Sequence, residues 1–173
     1  MLTLTLFRHA KSSWGHADLT DFDRPLNERG ERDAPVMGRY LAEHGLIPDL
    51  ILCSSARRTR ETLDLAWADW PVRPHADYAE ALYLATQETM LGMLRNVEGS
   101  PAHVMMIGHN PGIHAFAMSM AGTGEADARF ALSSKYPTAA IANITFDDTA
   151  WSEIRSGQGR LIFFIAPKQI SGE

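Results

Sequence analysis

Several features that would define other classes of protein are missing from this sequence. A single cysteine, Cys53, excludes an internal disulfide and any metal cluster built from several cysteines. No apolar run approaches the roughly 20 residues that cross a bilayer, and no basic N-terminal stretch precedes a long apolar segment with a cleavage site. We therefore predict a protein of the reducing cytoplasm with no membrane partner.

An excess of positive charge is also missing, because 16 Lys and Arg residues face 21 Asp and Glu residues and the formal net charge is -5. Affinity for nucleic acid depends on a broad excess of Lys and Arg. We therefore expect no nucleic-acid partner, and any site for an anion must be local.

The seven histidines show no metal-binding spacing. His109 and His114 do not share a helical face as the histidines of the zinc motif HExxH do, and no glutamate lies between them. We predict no metal site and no cofactor. The histidines without an evident partner in the sequence are predicted to be structural, namely His16, His44, His75, His103 and His114.

The 173 residues, of which 45% are hydrophobic, suffice for one well-buried core and are too few for two comparable domains. No repeat or composition break suggests a linker, so we predict a single domain over residues 1–173. Short apolar runs rich in strand formers predict five strands, at residues 2–7, 49–55, 102–108, 139–146 and 160–166.

Helical spacing of apolar residues occupies the segments between these runs. The predicted helices follow Asn27, Ser54-Ser55, Thr86 and Asn110-Pro111, and their apolar positions reach Trp70 in the second and Val97 in the third. Alternation of strand and helix predicts an α/β fold with three layers, in which helices cover both faces of a mainly parallel sheet. Ligands of such folds bind at the carboxyl ends of the strands.

Basic and histidine side chains gather at three of these predicted strand ends. The first strand ends in Arg8-His9-Ala10-Lys11, the second in Ser54-Ser55-Ala56-Arg57-Arg58, and the strand at 102–108 in Gly108-His109-Asn110-Pro111-Gly112. The last two also begin helices, whose N-terminal N–H groups attract anions. Guanidinium groups bind phosphoryl oxygens in pairs and an imidazole nitrogen can attack phosphorus, so the pattern predicts a phosphate site.

These motifs resemble the signature of the histidine phosphatase (phosphoglycerate-mutase-like) superfamily. The resemblance comprises Arg8-His9, the Arg58 within SSARRTRET, the GHNPG at 108–112 and the stretch 21-DFDRPLNERG-30. The short chain, the Ala10-Lys11 after the histidine and the GHNPG form are similar to the small phosphohistidine phosphatases of the SixA type. The tail, including 136-YPTAAI-141, is expected to add strands to the same fold.

The resemblance implies that His9 attacks the substrate phosphorus and forms a phosphohistidine, which water then hydrolyses. It implies that Arg8, Arg24, Arg58 and His109 hold the equatorial oxygens of the phosphoryl group. Many superfamily members use a glutamate to protonate the leaving oxygen. The candidates for this acid are Glu80, in 78-YAEALY-83, and Asp21, in the loop of Arg24.

Other polar residues of these motifs have simpler interpretations. Arg57 and Arg60 suit the solvated face of a helix, and Lys11 suits the rim of the site. A cysteine phosphatase would need an arginine after a phosphate loop of five residues, but position 59 is threonine, so Cys53 is predicted to lie in the core.

Three functions agree with the sequence. The first is a phosphatase for phosphohistidine in a partner protein, which the ambiguous acid and the absence of a long capping insertion favour. The second is a phosphomonoesterase or mutase for a small phosphorylated metabolite. The third is a phosphate-binding module without catalysis, for which His9 and its basic neighbours together would be unnecessary.

Overall fold

The computed structural model describes residues 1–172, and seven strands and six helices alternate along most of this length. The strands are β1 (Leu2–Arg8), β2 (Leu50–Ser54), β3 (His75–Ala79), β4 (His103–Gly108), β5 (Ala121–Gly124), β6 (Ile141–Phe146) and β7 (Gly159–Ile165). The helices are α1 (Glu28–Glu43), α2 (Arg57–Ala66), α3 (Gln87–Arg95), α4 (Gly112–Met120), α5 (Ala126–Ser134) and α6 (Pro167–Ser171). Short 3-10 turns occupy Asp21–Asp23, Glu80–Leu82 and Trp151–Glu153.

All seven strands form one sheet in the order β3-β2-β4-β1-β6-β7-β5. The pairs on one side of β1 are parallel, as is β5 with β7, whereas β6 runs antiparallel to both β1 and β7. The sheet is thus mainly parallel, and the predicted α/β class is confirmed. Three neighbouring parallel strands, β2, β4 and β1, end at the same edge.

Alternate side chains of the central strands enter two separate cores. On β4, Val104 and Met106 contribute to a core covered by α3, α4 and α5, while Met105 and Ile107 contribute to a core covered by α1 and α2. These four side chains are fully buried. This period-two alternation on a strand that is buried on both faces produces the three predicted layers.

The sequence prediction missed β3, β5, α5 and α6. Strand β3 lies at one edge of the sheet with several exposed positions, so its sequence HADYA has no apolar run. Strand β5, AGTG, has too few side chains to show a pattern and lies at the other edge. Pairing with a neighbouring strand, rather than local sequence, places both.

Several predicted boundaries were also too wide. Strand β6 begins at Ile141 rather than 139, and residues 136–140 are not part of a strand, because Ala139 has a left-handed φ of 60°. Trp70 lies beyond the end of α2 and Val97 beyond the end of α3, although both pack against the cores. Within residues 1–172, no helix is both long enough and apolar enough to cross a membrane.

Helices α1 and α2 are in close backbone contact at Gly38. A Cβ atom on Gly38 would lie 1.9 Å from the carbonyl oxygen of Ala66, and the indole N–H of Trp70 donates to the Gly38 carbonyl at 2.8 Å. The contact is between backbones, so a larger residue cannot be accommodated by rotating a side chain.

We expect Gly38→Ala to lower the free energy of unfolding by about 1 to 3 kcal/mol or more, because the helices must separate. Gly92→Ala in α3 is the matched control, since a Cβ atom at that position would have no neighbouring atom within 4 Å. That variant should gain up to about 1 kcal/mol from the higher helix propensity of alanine. Urea denaturation measures the stability of both variants. Equal urea midpoints for Gly38→Ala and the wild-type protein would contradict the close contact.

Candidate active site

The carboxyl ends of β1, β4 and β2 meet at one cleft. Arg8 pairs with Gly108 across the β1–β4 ladder, and the His9 N–H donates to the Gly108 carbonyl oxygen at 3.1 Å. The cleft has a volume of about 320 Å³ and combines cationic, imidazole and apolar side chains. It is lined by Arg8, His9, Lys11, Ser12, Trp14, Asp21, Arg24, Arg58, Leu84, His109, Asn110 and Thr138.

The backbone carbonyl of the next residue holds His9 in one tautomer. Its side chain is buried, and Nδ1 lies 2.7 Å from the carbonyl oxygen of Ala10. A carbonyl oxygen can only accept, so Nδ1 carries the proton. Burial holds the pKa of His9 well below its ordinary value, in spite of that hydrogen bond, and the neutral ring has its lone pair on Nε2.

His109 faces His9 from the end of β4. The two ring centroids are 5.2 Å apart, and Nε2 of His109 lies 2.8 Å from the Ser54 hydroxyl at the end of β2. Burial lowers the pKa of His109 to about 3, assisted by the charge of Arg58. Both imidazoles are therefore neutral at physiological pH.

Asp21 binds two of the arginines. Its Oδ1 accepts from Arg24 Nε at 3.0 Å and lies 2.9 Å from Arg24 NH2. Its Oδ2 accepts from Arg58 NH2 at 3.1 Å and from the Tyr83 hydroxyl, while its backbone carbonyl accepts from Arg58 NH1 at 2.7 Å. Partial burial opposes ionisation, but the Tyr83 hydrogen bond and the arginine charges lower the pKa of Asp21 to about 2.

Arg24 is further restrained by three residues of the preceding loop. Its NH1 donates to the Ser12 hydroxyl at 2.8 Å and to the Ser13 carbonyl at 3.2 Å. The indole of Trp14 stacks on the guanidinium at 3.6 Å. Every guanidinium nitrogen of Arg24 thus has a protein partner, and the residue contributes charge to the cleft from a fixed position.

Three nitrogens around the cleft are buried without a hydrogen-bond partner. They are Arg8 Nε, Arg58 Nε and His109 Nδ1. Arg8 NH1 donates to the Tyr136 carbonyl at 2.8 Å, so its guanidinium is anchored at one end only. Leaving the two arginine N–H groups unpaired costs about 1 to 3 kcal/mol each. An oxyanion among these side chains offers the acceptors that the protein does not.

The structure brings six of the seven predicted site residues to the cleft. Glu80 is the exception: it begins a 3-10 turn, is exposed, and does not line the cleft, whereas its competitor Asp21 does. The residues that sequence reasoning missed support the site from other elements. They are Ser54 as the partner of His109, Trp14 on Arg24, and Tyr83 on Asp21.

Four further residues of the motifs were predicted to lie at the rim of the site or away from it. Arg57 pairs with Glu61 on the exposed side of α2, and Arg60 is exposed with its Nε on the Ser55 carbonyl. Cys53 is fully buried, and burial raises its pKa far above the usual range. Lys11 is half-buried and lines the cleft, as expected of a rim charge.

Four of the histidines predicted to be structural form side-chain hydrogen bonds, among them His44 with the Tyr40 carbonyl. His103 bonds to the Thr5 hydroxyl, His114 to the Leu132 carbonyl, and His75 pairs with Asp77. Among residues 1–172, no group of three or more His, Cys, Asp or Glu side chains is placed to hold a metal ion.

Comparisons with known proteins agree with this geometry. The family described as the histidine phosphatase superfamily (branch 1) matches residues 4–83. The uncharacterized protein Rv1276c of Mycobacterium tuberculosis is 34% identical over 163 residues, which cover 93% of this chain and 99% of that protein.

Solved structures resemble the chain over nearly its whole length. A protein of Agrobacterium tumefaciens assigned to the SixA phosphohistidine phosphatases superposes with a TM-score of 0.81 at 32% identity, covering 96% of this chain and 98% of that one. A protein of Nakamurella multipartitia with the same assignment gives a TM-score of 0.82 at 26% identity, covering 96% of each chain.

The fold and the cleft define an α/β protein whose strand ends surround a buried, neutral histidine with arginines. The chain belongs to the histidine phosphatase superfamily and, within it, to the SixA type. The resemblance predicted from the motifs is thereby confirmed, and membership of this superfamily supports a phosphatase activity.

The neutral buried histidines predict a pH dependence of stability. Burial lowers the pKa of His9, of His109 to about 3, and of His103 to about 4. In the unfolded chain these groups take up protons below about pH 6.5. The unfolded state then binds more protons, so the free energy of unfolding falls as the pH drops from 7.5 to 5, by at most about 1.4 kcal/mol per group and pH unit.

Urea midpoints at pH 7.5 and 5 measure this decrease. His103→Gln is the informative variant, because His103 lies outside the cleft and its replacement should reduce the decrease without changing the site. The pKa of Asp21, about 2, restricts its own contribution to lower pH. Equal midpoints at the two pH values, or ring resonances of His9 that titrate near pH 6.5, would disprove the prediction.

Proposed function

We propose that the protein is a phosphatase that removes the phosphoryl group from phosphohistidine in a partner protein, through a covalent phosphohistidine on His9. The observation that supports this most directly is the fixed tautomer of His9. Its Nδ1–H is bound to the Ala10 carbonyl, so the neutral ring has a lone pair on Nε2. A buried imidazole that is uncharged at neutral pH is a competent nucleophile toward phosphorus.

In the first step, His9 Nε2 attacks phosphorus in line with the leaving nitrogen. The Nε2–P bond forms while the substrate N–P bond breaks, and the substrate imidazole leaves as a neutral ring with a proton taken from water. In the second step, water attacks the phosphorus of phospho-His9, the Nε2–P bond breaks, and the proton that this water loses neutralises the hydroxide left by the first step. Inorganic phosphate departs, and His9 regains its lone pair.

The arginines and His109 stabilise the charge of the transferred group. Arg8 and Arg58 each have an unpartnered Nε, and His109 has an unpartnered Nδ1. In the tautomer that suits this role, the Ser54 hydroxyl donates to His109 Nε2, leaving Nδ1–H free to donate to a phosphoryl oxygen. Fixed donors of this kind stabilise a phosphoryl transition state without reorganising.

The two candidate acids support a substrate with an N–P bond. Asp21, with a pKa of about 2, is ionised at neutral pH and has no proton to give. Glu80 is exposed and outside the cleft. An alkoxide leaving group depends on a positioned acid for about 100 to 10,000-fold of its rate. An imidazole can be protonated before it leaves, so it depends less on one.

The rim of the cleft supports a substrate presented by another protein. Trp14 is 73% exposed and Leu84 is 51% exposed, and both line the cleft that contains His9. Apolar side chains at the mouth suit contact with a protein surface better than contact with a small, highly charged metabolite. The cytoplasm, with its reducing conditions, is the compartment that we propose, in agreement with the single buried cysteine.

The proposal is tested by comparing phosphate release from a phosphohistidine-bearing phosphotransfer domain and from small esters such as phosphoglycerate, in excess EDTA. We expect the phosphoprotein to be the better substrate, since no acid serves an ester. His9→Ala should abolish activity, and acid-sensitive, alkali-stable label should be trapped on His9 of the wild-type protein after rapid quenching. Glu80→Gln should leave hydrolysis of the phosphoprotein nearly unchanged.

His16→Ala is the control, because His16 is an exposed histidine outside the lining of the cleft. A strong preference for a small ester, with Glu80→Gln costing about a hundredfold or more on it, would replace the proposal with a metabolite phosphatase or mutase. Loss of activity in EDTA would disprove metal-independent catalysis. Phosphate binding without turnover of any of these substrates would instead indicate a binding module.

A further inference from the structure

We propose that Tyr83 is a positioning residue of this site: through its hydrogen bond to Asp21, it fixes the guanidinium of Arg58 for binding the phosphoryl group. The role in binding a phosphoryl group rests on the proposed function, whereas the hydrogen bonds that would carry it out are present in the structure.

The carboxylate of Asp21 is the centre of this arrangement. Its two oxygens accept hydrogen bonds from different residues: Oδ1 from Arg24, and Oδ2 from Arg58 and the Tyr83 hydroxyl. A carboxylate that is bound on both oxygens cannot rotate about its terminal bond without breaking one set of contacts. Tyr83 is the only uncharged donor in the set, and its phenol places no further positive charge beside the arginines.

The position of Arg58 depends directly on Asp21. Two guanidinium nitrogens of Arg58 bond to this one residue, NH1 to its carbonyl oxygen at 2.7 Å and NH2 to its Oδ2 at 3.1 Å. The Arg58 side chain is only 3% exposed, and its Nε is the nitrogen left without a partner. Asp21 therefore determines which edge of the guanidinium remains for a phosphoryl oxygen.

Contacts with neighbouring side chains hold the ring of Tyr83 in the position from which its hydroxyl bonds to Asp21. It contacts Phe22 edge to face at a centroid distance of 5.0 Å and His109 at 5.5 Å, and the Arg58 guanidinium carbon lies 5.8 Å from its centroid. Tyr83 does not line the cleft, so its effect on a ligand passes through Asp21 and Arg58. Burial and the bond to Asp21 raise its pKa, which keeps the hydroxyl protonated as a donor.

The experiment is a double-mutant cycle read by the binding of inorganic phosphate. Tyr83→Phe removes the hydroxyl and keeps the ring contacts, and we expect the dissociation constant for phosphate to rise about three- to tenfold. In an Asp21→Ala background the same substitution should have little further effect, because Asp21 is the residue through which Tyr83 acts. Calorimetric titration of phosphate measures all four proteins.

A second measurement follows the carboxyl of Asp21 by carbon NMR. The hydrogen bond from Tyr83 lowers the pKa of Asp21, so this pKa should rise in Tyr83→Phe. Tyr78→Phe is the matched control, since Tyr78 is an exposed tyrosine on β3 that does not line the cleft. It should change neither the phosphate affinity nor the titration of Asp21.

The outcomes distinguish this proposal from the proposed function. Phosphate affinity unchanged in Tyr83→Phe, or lowered equally in the presence and absence of Asp21, would overturn the positioning role. A wild-type protein that binds phosphate and shows the NMR effect but hydrolyses no phosphohistidine would leave the positioning role in place and disprove the proposed function.

Discussion

The hydrogen bond from His9 Nδ1 to the Ala10 carbonyl decides which nitrogen of the ring has the lone pair, and the surrounding fold holds the backbone that provides it. The His9 N–H is bound by Gly108 of β4, and the His9 carbonyl accepts from Ala139 at 3.0 Å. The Ala10 N–H donates to the Thr62 hydroxyl of α2 at 2.9 Å. Three separate elements thus fix two residues, so the cost of ordering the imidazole is met during folding rather than during a reaction.

Burial also controls the net charge of the cleft. Because His9 and His109 are neutral, they add no positive charge beside the three arginines, which already repel one another. Asp21 offsets part of the remaining charge and lies where two of those arginines meet. The lining stays positive within a chain whose net charge is -5, so this edge of the sheet attracts an anion although the chain as a whole is acidic.

The sequence predicted the parts of this arrangement that depend on local pattern. Apolar runs identify β1, β2 and β4, and the shared edge of parallel strands then brings Arg8, His9 and His109 together. It could not decide between Glu80 and Asp21, because both lie in 3-10 turns and only tertiary contacts determine which turn faces the cleft. The predicted overlap of 136–141 with a strand failed because nothing in the local sequence indicates the left-handed backbone at Ala139.

Two positions of the motifs are occupied by glycine for a steric reason, whereas the neighbouring residues are suited to chemistry. A Cβ atom on Gly112, the last residue of GHNPG, would lie 1.8 Å from the carbonyl oxygen of Ala85. One on Gly30, the last residue of DFDRPLNERG, would lie 2.2 Å from the carbonyl oxygen of Lys11.

These close approaches connect the start of each helix to a loop of the site. Gly112 allows α4, which follows His109, to pack against the segment after Leu84 on the rim. Gly30 allows the first turn of α1 to pack against the loop after His9, where Asn27 also donates its N–H to the Lys11 carbonyl at 3.0 Å. The motifs therefore contain glycines that allow close packing as well as the side chains suited to phosphoryl chemistry. A Cβ atom at either position would force the backbone of a loop beside the site to shift, because both contacts are with carbonyl oxygens.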